Sequence, residues 1–321
     1  MSSHAAMTDP SAMPAARWDA ACLAAWSEPH LANVEGALSR WVGVDAPLLL
    51  GDAMRYAVLD GGKRLRPLLV MAASEAVHGR PDAALRAACA AELIHAYSLV
   101  HDDLPCMDND ILRRGKPTVH VKFGEADALL AGDALQALAF ELLTPDADDP
   151  NAAGDAVPPV MQALLCRLLA RAAGSQGMAG GQAIDLASVG RSLDEPQLRE
   201  MHRMKTGALL QGSVEMGAAC AASVPAPALA AMRDYGAAIG LAFQVVDDIL
   251  DVTADSHTLG KTAGKDAASD KPTYVSLLGL DGARAQAQQL LTAALAALER
   301  SALPDTNALR ALAHMVVDRD R

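Results

Sequence analysis

Tyr97-Ser98-Leu99-Val100-His101-Asp102-Asp103-Leu104-Pro105-Cys106-Met107-Asp108-Asn109-Asp110 places three carboxylates, Asp102, Asp103 and Asp108, at the end of an apolar run. The run has the pattern of a buried helix, where unpaired charge is expensive. A cation is therefore expected beside it. A second cluster, Asp247-Asp248-Ile249-Leu250-Asp251, follows another apolar run and sets Asp247 and Asp251 four residues apart on one helical face. Two such clusters on facing helices would hold several hard divalent ions. Magnesium bound by few carboxylates and completed by substrate phosphates is the usual form of such a site.

Basic residues flank both clusters. Upstream, a helix over Leu48 to Val58 is expected to end at Asp60-Gly61-Gly62, followed at once by Lys63, Arg64 and Arg66. Pro67 suits the first turn of the next helix, and three basic residues at a helix start oppose the macrodipole unless an anion shares the place. Downstream of the first cluster come Arg113-Arg114-Gly115-Lys116. Carboxylates for metal and cations for phosphate, arranged around an apolar interior, suggest an ionised head on a hydrophobic chain.

The remaining segments read as helices and their connections. Residues 1 to 15 are small, polar and proline-bearing, the composition of a disordered segment, and residues 16 to 321 read as a single domain. Helical periodicity runs from near Trp18 toward Trp41, from about Asp82 to Leu104, and from Val119 to Leu142. Residues 144 to 159 form an acidic loop. Helical pattern returns over Val160 to Ala173, Ser175 to Leu186, Glu195 to Leu210, Gln211 to Ala222 and Leu229 to Val252. Asp255 to Lys271 reads as a flexible connection, and terminal helices follow over Thr273 to Leu280 and from Ala283 onward. No useful alternating strand pattern and no fixed-period repeat is visible. The prediction is an all-α bundle of long helices around a central cavity.

Composition narrows the function classes. The chain has 321 residues, of which 51% are apolar and only 3% aromatic, so packing must rely on aliphatic side chains and alanine. A formal charge of −12 argues against nucleic acid or an anionic membrane surface as a general partner. Cys22, Cys89, Cys106, Cys166 and Cys220 show neither zinc spacing nor a disulfide framework, which fits a reducing cytoplasm. No leader pattern is visible, and no uncharged apolar stretch of spanning length lacks proline, so a soluble protein without stable membrane insertion is expected.

Seven motifs in order resemble the bacterial farnesyl diphosphate synthase group of the trans-prenyltransferases, over roughly residues 20 to 321. They are Gly61-Gly62-Lys63-Arg64-Leu65-Arg66-Pro67, then Asp102 to Asp108 with Arg113-Arg114-Gly115, Gly180-Gly181-Gln182-Ala183-Ile184-Asp185-Leu186, and Lys205-Thr206-Gly207. Phe243-Gln244-Val245-Val246-Asp247-Asp248-Ile249-Leu250-Asp251, Gly260-Lys261-Thr262-Ala263-Gly264-Lys265-Asp266 and Asp270-Lys271-Pro272-Thr273-Tyr274 complete the set. The resemblance implies an isoprenoid-synthase bundle that joins isopentenyl diphosphate to dimethylallyl and geranyl diphosphate. It implies a homodimer and Mg2+, three ions to a site, in an oxygen-rich setting that Mn2+ could also occupy.

Position by position, the resemblance makes Asp102, Asp108 and Asp247 the principal metal ligands, with Asp103, Asp248 and Asp251 as ligands or outer partners. Arg113, Lys205, Thr206, Gln244 and Lys261 fall on the allylic diphosphate and the cation it generates, with Lys271 nearby. Gly62, Lys63, Arg66, His95 and Arg114 fall on isopentenyl diphosphate. Gln182 and Asp185 stand behind these groups. Tyr97 and Ser98, five and four residues before the first aspartate, correspond to the floor of the elongation pocket, and the bulk of Tyr97 favours a fifteen-carbon product.

Three rival functions are weighed against this one. They are a geranyl or geranylgeranyl diphosphate synthase, a terpene cyclase and a noncatalytic helical subunit of a synthase. Two intact acidic motifs argue against the noncatalytic subunit. Lys63 and Arg66, which suit a second diphosphate, argue against the cyclase.

Overall fold

The computed structural model describes residues 18–59, 61–146, 157–191, 193–253 and 273–319. The N-terminal segment, most of the acidic loop, the Asp255–Lys271 connection with Lys261 and Lys271, and Arg321 lie outside the described residues.

The chain folds as an all-α bundle. Its elements are α1 Ala20–Trp41, α2 Leu50–Val58, α3 Leu65–Ala76, α4 Pro81–Asp102, α5 Val119–Phe123, α6 Glu125–Leu143, α7 Pro159–Ala173 and α8 Met178–Ala187. They continue with α9 Glu195–His202, a π-helical turn Arg203–Gly207, α10 Ala208–Ala219, α11 Ala226–Thr253, α12 Tyr274–Arg300 and α13 Asn307–Val317. Helix starts carry local signals. Asp194 and Gln197 form a capping box on α9, Thr273 and Ser276 form one on α12, and Pro81 opens α4.

Four local expectations change. The helix expected over Val119 to Leu142 is broken at Gly124, whose φ of 94° ends α5 before Glu125 starts α6. A two-residue hairpin, β1 Leu112–Arg113 with β2 Lys116–Pro117, stands where no strand was expected; Arg114 and Gly115 turn it with φ values of 52° and 76°. The π-turn interrupts the helix expected over Glu195 to Leu210. The break expected between Leu280 and Ala283 falls slightly earlier, at Gly279, whose φ of 72° and ψ of 167° leave the helical region and divide α12 into two helical segments.

Helix α4 is the axis of the bundle. It is buried on nearly every side from Ala83 to Ile94, which its alanines permit by letting neighbours approach closely. By length and apolarity it could cross a membrane, yet 83% of its most apolar window is buried inside the bundle. Two apolar clusters flank it. One joins α4 to α2, α6 and α7, and the other joins α3 to α10, α11, α12 and α13. α3 serves both, giving Val70 and Met71 to the first and Leu68, Leu69 and Ala72 to the second.

Candidate active site

The basic stretch after Gly61-Gly62 divides by role. Arg64 adopts φ 45° and turns inward, where its guanidinium donates to Glu35 Oε1 at 2.6 Å, Glu92 Oε1 at 2.7 Å and the Val58 carbonyl at 2.7 Å. It is thus a structural anchor that sets the start of α3, and only its neighbours remain for an anion. Lys63 is exposed and Arg66 is half-buried. Gly62, at φ 135°, lies against Arg114, where a Cβ would come within 2.8 Å of Nη1. That guanidinium donates to the Gly61 carbonyl at 2.7 Å. His95 rises from α4 into the same group. Burial, then the charges of Arg66, Arg114, Arg113 and Arg64, hold its imidazole well below its usual pKa. Burial also lowers Arg66 and Arg114, and the Nε of Arg66 is buried without a partner. These groups gather cations around a neutral histidine, an arrangement that suits an anion.

The first acidic motif spans the end of α4 and the turn beyond it. Asp102 is the last helical residue, and the Asp108 amide donates to its carbonyl at 2.9 Å, folding the turn back onto the helix end. Burial pushes the Asp102 carboxyl up to about 6 against the pull of Lys205, with Asp108 repelling it further. A half-buried carboxylate whose charged form is disfavoured despite Lys205 and Arg113 is what a divalent cation would relieve. Asp103 is only 2% exposed and receives Arg113 as a fork, Nε at 3.0 and 2.9 Å and Nη2 at 2.6 Å. The hairpin therefore carries Arg113 to the motif, where it engages Asp103.

The second motif lies on α11. Asp247 accepts from Arg319 Nη2 at 2.5 Å; the same guanidinium donates to the Phe243 carbonyl and lies 4.0 Å from the Phe243 ring centroid. Asp248 is 2% exposed. One of its oxygens accepts from Gln244 Nε2 at 3.0 Å and the other from the Tyr274 amide at 2.8 Å, with His202 Nε2 3.9 Å away. Asp251 is 4% exposed, and its Oδ1 is buried without a hydrogen-bond partner.

The π-turn brings the remaining groups between these motifs. π-turns recur at functional sites because the extra residue redirects side chains that a regular helix would place elsewhere. Here Lys205 donates to Asp185 Oδ2 on α8 at 2.6 Å, while Thr206 donates to Gln244 Oε1 at 3.1 Å. The turn sits on α11 because Gly207 and Gly240 meet backbone to backbone. Lys205 acts electrostatically on Asp102, and Asp247 on Arg66, so both acidic motifs and the basic cluster around His95 share one interior. Among the described residues no three His, Cys, Asp or Glu side chains close into a metal cage. An open donor set of separate carboxylates suits ions that keep water or phosphate as further ligands.

Tyr97 is 9% exposed on α4, and the Ser98 hydroxyl donates to its own helix at the His95 carbonyl, 2.8 Å away. Sequence reasoning gave no role to His202 or Tyr274. His202 is buried, its imidazole lowered to about 4 chiefly by burial, and it stacks on Tyr274 with ring centroids 5.7 Å apart. The one signal for Tyr274 was its place in Asp270-Lys271-Pro272-Thr273-Tyr274. His202 had none, because its partners come from other helices.

Residues 47–308 match the family described as polyprenyl synthetase. The chain is 46% identical over 292 residues to farnesyl diphosphate synthase of Escherichia coli, covering 89% of this chain and 95% of that one. An FPP/GFPP synthase from Zymomonas mobilis superposes with a TM-score of 0.79 at 40% identity, over 93% of this chain and all of that one. A geranyltransferase from Helicobacter pylori, solved with magnesium and isoprenyl diphosphate, superposes with a TM-score of 0.73 at 35% identity, over 91% and 97% of the two chains. By this match and these likenesses the chain belongs to the polyprenyl synthetase family of trans-isoprenyl diphosphate synthases, close to the bacterial farnesyl diphosphate synthases.

Proposed function

We propose that the chain condenses isopentenyl diphosphate with dimethylallyl and then geranyl diphosphate to give (2E,6E)-farnesyl diphosphate. The observation that carries this reading is the pairing, in one interior, of two aspartate motifs, the second with the buried, unpartnered Asp251 Oδ1, and a group of arginines around buried His95, where the Arg66 Nε is likewise unpartnered. The motifs suit a metal-borne allylic diphosphate, and the arginines suit another diphosphate that needs no metal.

Asp102, Asp108 and Asp247 would hold the ions, with Asp103, Asp248 and Asp251 behind them. Mg2+ held there would supply charge against the allylic diphosphate and its departing pyrophosphate. Lys205, steered by Asp185, contributes positive charge to the same leaving group, as does Arg113 from the hairpin. Lys261 and Lys271, outside the described residues, belong to this group in the same reading. The allylic carbon–oxygen bond breaks, and its electron pair leaves with pyrophosphate. Thr206 and Gln244 then turn their oxygen dipoles toward the cation while the apolar interior excludes water. Gly62, Lys63, Arg66, His95 and Arg114 hold isopentenyl diphosphate so that its double bond attacks the cation. Pyrophosphate takes the proton lost as the new double bond forms.

The same reading covers assembly and setting. Three ions serve each site, and Mn2+ fits the same oxygen donors. Residues 16–321 act as one domain in a cytoplasmic homodimer without stable membrane insertion. The exposed apolar residues Ile111, Leu112, Val121, Leu129 and Leu130 support a second copy packing on that side of the bundle.

The test incubates purified protein and Mg2+ with isopentenyl diphosphate and either starter, then resolves the dephosphorylated alcohols by chain length. A dominant fifteen-carbon product from both starters, lost on chelation, is expected. A ten- or twenty-carbon product would overturn the product assignment, and no elongation by folded protein would overturn the activity.

A further inference from the structure

We propose that Tyr56 is a positioning residue that holds the β1–β2 hairpin so that its adjacent arginines, Arg113 and Arg114, serve the two diphosphates at once. The proposal rests on the roles given above to those arginines.

The hairpin cannot stand by itself. Its strands pair only Leu112 with Pro117 and Arg113 with Lys116, and so short a ribbon is not stable alone in water. The Thr118 amide closes its base on the Ile111 carbonyl at 3.1 Å. Two of its ties to the rest of the molecule are made by the arginines themselves, Arg113 as a fork on Asp103 and Arg114 on the Gly61 carbonyl. A guanidinium drawn to a diphosphate loosens such a contact. The Tyr56 hydroxyl supplies a tie that uses neither arginine, donating to the Pro117 carbonyl at 2.8 Å.

Tyr56 is itself fixed from two sides. It lies in the last turn of α2, and the Gly61 carbonyl that receives Arg114 follows shortly after, so the end of α2 meets the hairpin at its base and at its turn. Helix α5, into which the hairpin leads, clamps the ring. Phe123 meets it edge-on with centroids 5.5 Å apart and planes at 69°, and the Lys122 ammonium lies 3.8 Å from the ring centroid. Side chains alternate across a strand, so a slip of one residue in the pairing would carry Arg113 to the opposite face. A hydroxyl fixed on the Pro117 carbonyl opposes that slip.

The experiment follows wild type, Tyr56→Phe, Arg114→Ala and the double variant by steady-state kinetics with isopentenyl and geranyl diphosphates, and reads amide hydrogen exchange over residues 111–118 in wild type and Tyr56→Phe. Tyr56→Phe keeps the ring against Phe123 and Lys122 and removes one oxygen, and its melting temperature should stay close to that of wild type because the bond lies at the surface. Exchange over the hairpin should quicken about three- to tenfold, the range set by loss of one hydrogen bond, and KM for isopentenyl diphosphate should rise by about the same factor. kcat should fall as well, because Arg113 serves the leaving group. In the Arg114→Ala background Tyr56→Phe should leave that KM unaltered and still lower kcat. Exchange at the wild-type rate would overturn the proposal, as would quickened exchange with KM and kcat unchanged. If the two effects on KM multiply in the double variant, the hydroxyl does not act through Arg114 and the proposal fails. If Arg114→Ala leaves that KM at the wild-type value, the role given to Arg114 falls instead, and a kcat unchanged by Tyr56→Phe then overturns the proposal too.

Discussion

His95 is a histidine kept neutral by its surroundings. Burial and four arginines, Arg66, Arg114, Arg113 and Arg64, all oppose its protonation. In the unfolded chain the same imidazole takes a proton near pH 6.5. A base whose folded pKa is depressed contributes stability above its unfolded value and loses it as pH falls through that value toward the folded one. Stability should therefore decline as pH falls below about 6.5, and His95→Gln should flatten this part of the profile. Denaturant unfolding across pH measures both. An unchanged slope in the variant would show that the imidazole is already protonated in the fold. In the proposed reaction the neutral ring serves a diphosphate as a hydrogen-bond donor, and the charge comes from the arginines around it. Arg64 shows the opposite use of a basic residue: beside two glutamates it compensates charge inside the bundle, which sequence proximity to Lys63 and Arg66 did not disclose.

At the scale of elements, Asp248 ties three segments together. It accepts from Gln244 within α11 and from the first amide of α12, so it acts on that helix as an N-terminal cap supplied from another helix. Because a carboxylate only accepts, it fixes which end of the Gln244 amide faces it and so points Oε1 at Thr206 on the π-turn. Asp248→Asn puts a donor where two donors already point. We expect it to cost about 2 kcal/mol of stability and to lower kcat about tenfold, while the Mg2+ concentration for half-activation stays near the wild-type value. Chemical denaturation and metal-dependent kinetics read these separately. A large rise in the Mg2+ requirement would mean that Asp248 ligates the metal itself.

Across the whole molecule, the C-terminal end of the described chain returns to the site. Arg319, beyond α13, lies on Asp247 with only 11% of its side chain exposed. It occupies the place of a cation at a proposed metal ligand. Arg319→Ala should therefore lower the Mg2+ concentration for half-activation by roughly fivefold, the equivalent of about 1 kcal/mol for a charge-assisted hydrogen bond at a partly exposed site. An increase would show instead that Arg319 keeps Asp247 aligned for the metal.

By itself the sequence determined the helical class, the order of the main helices and the place of the two aspartate motifs at the ends of apolar helices. Those features are written locally, in 3.6-residue periodicity, in caps and glycines, and in acidic runs that end apolar helices. Tertiary structure alone decided which of the charged residues hold one another. Arg64 and Arg66 are two residues apart, yet one is locked to Glu35 and Glu92 and the other lies within electrostatic reach of Arg114 and Asp247. Asp102 and Asp103 are adjacent, yet Asp103 takes the fork of Arg113 while Asp102 has only the longer-range pull of Lys205 and Arg113. The π-turn around Lys205 is likewise decided by packing, since Arg203, Met204 and Lys205 would each favour a regular helix. Asp248 and Tyr56 take partners from segments distant in sequence, and long-range contacts of that kind leave no local periodicity to read.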